Sequence, residues 1–296
     1  MKKLFTLLWI VVGHGALGQV DNPILVSPTW LNDHINDPNV VAVQVSFLRL
    51  DYDTEHIPGS RFLWPGWLAP DSPEGNMNVP DVKLATDLLR SMGISNDTHV
   101  VVCHVRGDVS VAARMLLMLE YLGLKGQVSF LNGGVDAWKK AGYNVTNTPT
   151  KVTRKGTFKA AINPVVVDKD YVLKHLDSPT TQIVDARPTR FYDGAPVGYP
   201  RDGHIKGAKN IVYQDMAEES NEFKSSEQLE GYFKPVAPKD RELVVYCFIG
   251  QTASVVYLAG RVLGYQMKLY DGSMQEWSRI PELPMEMTEK KDEEEK

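Results

Sequence analysis

Leu243 to Gly264 reads LVVYCFIGQTASVVYLAGRVLG, and the fold follows from it. Leu243 to Tyr246 is a short apolar run rich in β-branched residues, the signature of a buried strand. Val255, Val256, Leu258, Ala259, Val262 and Leu263 then recur at helical spacing until Gly264, a natural helix stop. Strand, tight loop and helix is the predicted order. Cys247 leaves the strand, and Gly250 lets the six residues from Cys247 to Thr252 fold back so that backbone N–H groups point inward. A helix starting near Ala253 adds its positive end. The loop is an anion cradle with a sulfur at its mouth, an arrangement that favours a thiolate nucleophile. A lone cysteine at a strand end more often merely packs, and the surrounding loop is what argues for chemistry.

Cys247-Phe248-Ile249-Gly250-Gln251-Thr252-Ala253-Ser254 resembles the persulfide loop of the rhodanese family. LYDGSMQEW (Leu269 to Trp277) resembles that family's closing strand, turn and helix, and VDAR (Val184 to Arg187) and GHIKGAKNI (Gly203 to Ile211) match in order. The first half carries the same pattern in altered form. HIPGSRFL answers HIKGAKNI, and VVCHVRGDVSVAARMLLMLEYLG with FLNGGVDAW answers VVYCFIGQTASVVYLAGRVLG with LYDGSMQEW. A period of about 140 residues is that of a duplicated domain. Strands alternate with helices, so each half is a mostly parallel sheet flanked by helices. The expected fold class is α/β, two tandem rhodanese-like domains.

A chain of 296 residues with 43% hydrophobic residues can bury two cores. The formal net charge of -5 gives no electrostatic reason to expect nucleic acid or an anionic membrane as partner. At the N-terminus, Lys2 and Lys3, the apolar run Leu4 to Val12 and small residues to Gly18 make the three parts of a secretory signal peptide over residues 1–18. The protein is therefore expected to be exported, periplasmic or secreted, and a monomer with no membrane contact beyond that peptide, although an uncleaved anchor remains open. Cys103 and Cys247 are the two cysteines. Each ends a strand of its own sheet, so a disulfide between them is not expected.

The first domain spans 23–145. Ser27-Pro28 starts a helix, Val40 to Val45 is a strand, Phe47 to Glu55 reads as a polar flexible passage, and Arg61 to Pro80 as a long ordered loop. A helix over Asp81 to Met92, a strand His99 to Cys103, a helix Val109 to Leu122, a strand Val128 to Leu131 and a helix Val135 to Lys140 follow. Residues 146–164 are the linker, and 165–285 the second domain. Its expected elements are a helix near Lys169 to Leu176, a strand Gln182 to Asp185, a charged loop to Gly203, a helix Ser226 to Tyr232, the strand and helix around Cys247, a strand Lys268 to Tyr270 and a helix Met274 to Arg279. Residues 286–296 read as a disordered charged tail.

Aligning Gly107 with Gly250 sets His104 opposite Cys247 and Cys103 opposite Tyr246. The first half then has no nucleophile, and the resemblance implies an inactive domain that walls the cleft. His104 and His56 read as structural, because a histidine in a turn usually bonds a nearby carbonyl. Arg187, Arg190 and Arg201 follow the strand ending at Asp185 and so share a sheet edge with Cys247. Guanidinium groups suit sulfonate or carboxylate. Arg190-Phe191 matches the family's substrate-binding arginine, and Arg201-Asp-Gly resembles a second anion-binding arginine of mercaptopyruvate-type members. Arg187 serves equally well as a domain tie, and Asp185 and Ser273 read as scaffold.

The resemblance implies a sulfurtransferase. Cys247 takes sulfane sulfur from a small anionic donor held by Arg190 and Arg201, Thr252 and the loop N–H groups of residues 248–253 hold the persulfide, and cyanide or a thiol accepts the sulfur. No metal or organic cofactor is required. Thiosulfate-type members carry Arg and Lys after the cysteine and mercaptopyruvate-type members Gly and Ser, whereas Phe248 and Ile249 match neither. Thiosulfate suits an exported enzyme, and 3-mercaptopyruvate is the alternative. A cysteine phosphatase is disfavoured because the loop is short and Ala253 stands where an arginine would close it. A rhodanese-like persulfide carrier or binding module is the non-enzymatic alternative.

Overall fold

The computed structural model describes residues 23–73 and 75–288. The expected signal peptide lies outside the described residues, as does the tail beyond residue 288. The first sheet contains β1 (Leu25–Val26), β2 (Val40–Val45), β3 (Arg61–Leu63), β4 (His99–His104) and β5 (Val128–Leu131), in the order β1-β5-β4-β2-β3. The second contains β6 (Val166–Val167), β7 (Thr181–Asp185), β9 (Lys209–Asn210), β10 (Glu242–Tyr246) and β11 (Met267–Tyr270), in the order β6-β11-β10-β7-β9. Every pairing within both sheets is parallel. Strand for strand the two orders correspond, which is the duplication seen in three dimensions. β8 (His204–Ile205) and β12 (Met285–Glu286) form a separate antiparallel pair. The expected tail therefore begins later than residue 286, because Glu286 is held in that pair.

The helices are α1 (Pro28–His34), α2 (Arg49–Thr54), α3 (Val82–Ser91), α4 (Val109–Leu119) and α5 (Gly134–Lys140) in the first domain. In the second they are α6 (Lys169–Lys174), α7 (Thr189–Tyr192), α8 (Ser226–Phe233), α9 (Ala253–Val262) and α10 (Ser273–Trp277). Four features correct expectations. The passage after Phe47 contains α2, because Ser46 Oγ accepts the Leu48 N–H at 3.0 Å, bonds Asp51 at 2.6 Å, and Tyr52 is buried beneath. The loop after Arg61 begins with edge strand β3, and the charged loop after Asp185 contains α7. Helix α4 ends at Leu119 rather than Leu122, since residues Glu120–Leu124 widen into a π turn in which Gly123 has φ +113°.

The site sits where α4 packs against α9. Both helices are apolar nearly all round, which marks helices buried on every side. One continuous core runs from Val102 and Leu116 through Val245, Val256 and Leu258, so the domain interface is interior in character. Burying each such side chain contributes about 1.5–3 kcal/mol. Polar clamps fix its register. Glu120 accepts the Tyr257 hydroxyl at 2.6 Å and pairs with Arg261 at 2.6 Å, and the buried Arg114 bonds the Met77 carbonyl and the Asp271 carboxylate. Among the described residues no helix is long and apolar enough to cross a membrane.

Candidate active site

Tyr246 ends β10 opposite Asp185 of β7, so Cys247 and Arg187 emerge together at the C-terminal edge of the second sheet. That edge is where parallel sheets present ligands. The Cys247 N–H donates to Ser273 Oγ at 3.2 Å, and its carbonyl accepts from the Met274 N–H at 3.1 Å. Ser273 has φ +49°, a left-handed conformation uncommon outside glycine. Its hydroxyl also donates to the Tyr270 carbonyl at 3.0 Å, so the turn is locked from both sides.

From Phe248 through Ala253 no backbone N–H donates a hydrogen bond within the described residues. Six donors in succession, at the start of the ten-residue α9, make a preformed anion site. Gly250, at φ +82°, turns the loop where a Cβ would lie 3.2 Å from the Asp271 carbonyl. Thr252 Oγ1 is buried without a hydrogen-bond partner. Gln251 Nε2 reaches Ser110 Oγ of the first domain at 2.9 Å, Ile249 packs on the core, and Ala253 is buried.

The thiol is not at an open mouth, for Cys247 is 0% exposed. It belongs to the continuous core, and aromatic side chains crowd the next residue. Phe248 packs edge-on against Phe191 at 5.2 Å, tilts against Tyr199 at 6.2 Å and lies beneath the Arg187 guanidinium at 5.4 Å. Burial and the nearby Cys247 both raise the pKa of Tyr199 and of Tyr213, while Arg187 and Arg279 oppose the rise at Tyr199. Tyr199, Tyr213 and Arg279 are site residues that the motifs did not single out, and Ser273, read as scaffold, caps the cysteine N–H.

The three arginines part company. Arg187 is buried and bidentate with Asp185 (Nη2 to Oδ2 at 2.7 Å, Nε to Oδ1 at 3.0 Å) and donates to the Gly203 carbonyl at 2.7 Å. Burial lowers its pKa, but Asp185 outweighs this and the net shift is upward, so Arg187 is a permanently charged tie beside the loop. Arg201 does not belong to the site. Its Nε and both Nη atoms donate to the carbonyls of Ser278, Pro281, Leu283, Trp277 and Ile280, at 2.5 to 3.4 Å. Those five bonds use every guanidinium hydrogen and staple the chain after α10. Of the three, Arg190 is left for a substrate. It is exposed, makes no ion pair among the described residues, and stacks at 4.5 Å on Phe191, the ring that touches Phe248.

The matching loop in the first domain is built differently. His104 is the last residue of β4 and 1% exposed, and neither ring nitrogen has a partner, contrary to the expected carbonyl bond. Burial drops its pKa to about 4. His56 behaves as expected, bonding the Tyr52 and Thr148 carbonyls at 2.7 and 3.1 Å. The loop N–H groups of Asp108 and Val109 bond the Val105 and Gly107 carbonyls, so part of that cradle is closed on itself. Gly134 stands where the second domain has Ser273, and a Cβ there would come within 2.5 Å of the His104 carbonyl and 2.7 Å of its ring. From the second domain, Phe223 packs edge-on against Phe130 at 5.7 Å and bonds Asn132 at 2.8 Å. Cys103 points into the first domain's own core, where burial raises its pKa, and both cysteines are free. The first domain walls the site instead: Asn76 and Gln275 exchange hydrogen bonds of 2.9 and 3.1 Å.

A family model described as a rhodanese-like domain matches residues 27–141 and again 168–280. The 3-mercaptopyruvate sulfurtransferase of Escherichia coli K12 is 31% identical over 277 residues, 88% of this chain and 97% of its own. The thiosulfate sulfurtransferase of Rattus norvegicus is 31% identical over 275 residues, 86% of this chain and 92% of its own. The crystal structure of a 3-mercaptopyruvate sulfotransferase from Escherichia coli superposes with a TM-score of 0.76 at 30% identity, covering 85% of this chain and 99% of that one.

Proposed function

The chain belongs to the rhodanese family and is a sulfurtransferase, and from that premise we propose that it works by double displacement at Cys247 with thiosulfate as donor. The observation that carries this reading is the run of six undonated backbone N–H groups from Phe248 to Ala253 beside a cysteine. A persulfide is an anion that needs such a pocket.

The Cys247 thiolate attacks the outer sulfur of thiosulfate. A sulfur–sulfur bond forms to Cys247 as the bond to the sulfonate sulfur breaks, and sulfite departs with the electron pair. The Cys247 persulfide carries the negative charge on its outer sulfur, facing the loop donors and the Thr252 hydroxyl. Cyanide attacks that sulfur, thiocyanate leaves and the thiolate is restored, so charge and electrons balance without an external oxidant. Arg190 draws the donor's oxyanion to the rim. Because the thiol is buried, a donor enters only when side chains near it, such as the paired Phe248 and Tyr199, move aside. The N-terminal pattern of residues 1–18 supports export, and thiosulfate is a donor available there.

3-Mercaptopyruvate is the second reading, favoured by the Escherichia coli relative matched over 97% of its length. With Arg201 committed to carbonyls, Arg190 and the exposed Arg279 are the guanidinium groups left for either anion. Supplying each donor with cyanide and following thiocyanate separates them: a kcat/KM at least about tenfold higher for thiosulfate is expected, and the reverse ranking overturns the donor assignment.

A further inference from the structure

At the N-terminal ends of the first sheet's strands, away from the loops that follow them, the linker folds back and closes a polar cavity of about 420 Å³. Asn39 precedes β2, Arg61 opens β3 and Thr98 precedes β4, while Lys151, Arg154 and Lys155 of the linker complete the wall. The linker is held there by its backbone. Gly156 N–H donates to the Arg90 carbonyl at 2.8 Å, Thr157 N–H to Ser95 Oγ at 2.9 Å, and Phe158 is fully buried. The cavity is therefore preformed.

Its charge is out of keeping with the molecule. Four cations and one carboxylate, Asp97, line it in a chain whose net charge is -5. Arg61 is the anomaly. Its Nε and Nη1 are buried and donate to nothing, it has no ion-pair partner among the described residues, and burial pulls its pKa down. Leaving charged donors dry and unpaired is costly, and such groups call for a missing partner. A guanidinium at the cavity wall with unpaired donors, its Nη2 beside the lining Gly93 and further cations around it, matches a tetrahedral dianion better than a lone carboxylate. The space exceeds that anion and falls in the range of small-molecule sites.

We propose that this cavity binds a phosphate group, either free or carried on a small molecule, with its oxygens on Arg61 and the linker cations closing over it. The site shares no residue with the Cys247 loop and stands independently of the donor assignment.

Calorimetric titration of the full chain with inorganic phosphate and with ribose 5-phosphate, in phosphate-free buffer, tests this. Saturable one-to-one binding that weakens with salt is expected for at least one probe. Tighter binding of the monoester identifies a carried phosphate, and equal binding a free one. Arg61→Met should weaken binding about tenfold or more, and Arg190→Ala should leave it unchanged. Should Arg61→Met fail to fold, the combined Lys151→Ala, Arg154→Ala and Lys155→Ala variant decides, since these side chains are exposed. Binding lost in that variant, with sulfur transfer retained, supports the site. No saturable binding of either probe, undiminished binding in the linker variant, or binding lost on Arg190→Ala overturns it.

Discussion

The loop after β10 and the loop after β4 occupy the same place in duplicated sheets, yet one is an open cradle and the other is partly closed on itself. In the second domain six successive N–H groups point to no protein acceptor and a cysteine lies beside them. In the first, a histidine replaces the cysteine, the turn through Arg106 and Gly107 (φ +51° and +69°) bonds part of its own backbone, and the other domain packs Phe223 alongside. The closing turns differ to match. Ser273 accepts a strained backbone to cap the cysteine N–H, whereas Gly134 yields its side chain to make room for the His104 ring. A nucleophile by itself is therefore not the active site: it also needs the unpaired donors around it, and in the duplicate a histidine stands for the nucleophile while the Asp108 and Val109 donors are spent on its own carbonyls.

The hardest test of that contrast moves the cysteine. Cys247→Ser should cut thiocyanate formation by roughly a thousandfold or more. Adding His104→Cys to that variant should restore none of it, because the first loop offers no open ring of donors; recovered turnover would show that position, not loop geometry, makes the difference.

The closed loop should declare itself in stability. His104 is neutral when folded, with a pKa near 4 against an ordinary 6.5, so the unfolded chain binds a proton in that window that the folded chain refuses. Stability should fall as pH drops from about 6.5 to about 4 and then level off. His104→Phe should make the fall shallower by up to about 3 kcal/mol in denaturant unfolding across that window. His99, whose pKa burial also lowers to about 4, accounts for a remainder. An unchanged slope in the variant would mean that the ring is solvated.

Within the open loop, Thr252→Val removes a buried hydroxyl that has no other partner. It should lower kcat about ten- to a hundredfold without disturbing the fold, as loss of one preorganised anion donor does. A kcat within twofold of the parent, by steady-state assay, would leave the hydroxyl without a role.

The arginines sharpen the comparison at smallest scale. Arg190→Ala should raise KM for the donor about tenfold with kcat nearly intact. Arg201→Ala should leave KM unchanged and instead lower the melting temperature by several degrees, since five carbonyls lose their donor.

Much of this architecture was legible in the chain because its main elements are long and periodic. The run Leu243 to Tyr246 and the helical spacing after Ala253 place β10 and α9 within a residue of their observed ends. The elements that were not legible are short. α2 buries only Tyr52, and β3 has three residues, too few for periodicity to register. The cradle could be read because Cys247 to Ala253 is contiguous, so one glycine and one helix start suffice to infer it. Arg201 could not, because a charged residue in sequence does not reveal which carbonyls will saturate it. Tyr199 and Tyr213 are brought near Cys247, and Arg279 near Tyr199, from separate segments by tertiary packing alone, and nothing in their neighbours signals it.

The central claim is that sulfur rests on one atom. Incubation with thiosulfate, removal of excess donor and mass spectrometry of the digested, unreduced protein tests it most directly. One added sulfur on the peptide containing Cys247, none on that containing Cys103 and none after Cys247→Ser, is the predicted result. A Cys247 peptide that stays unmodified while thiocyanate is still produced on adding cyanide would contradict it.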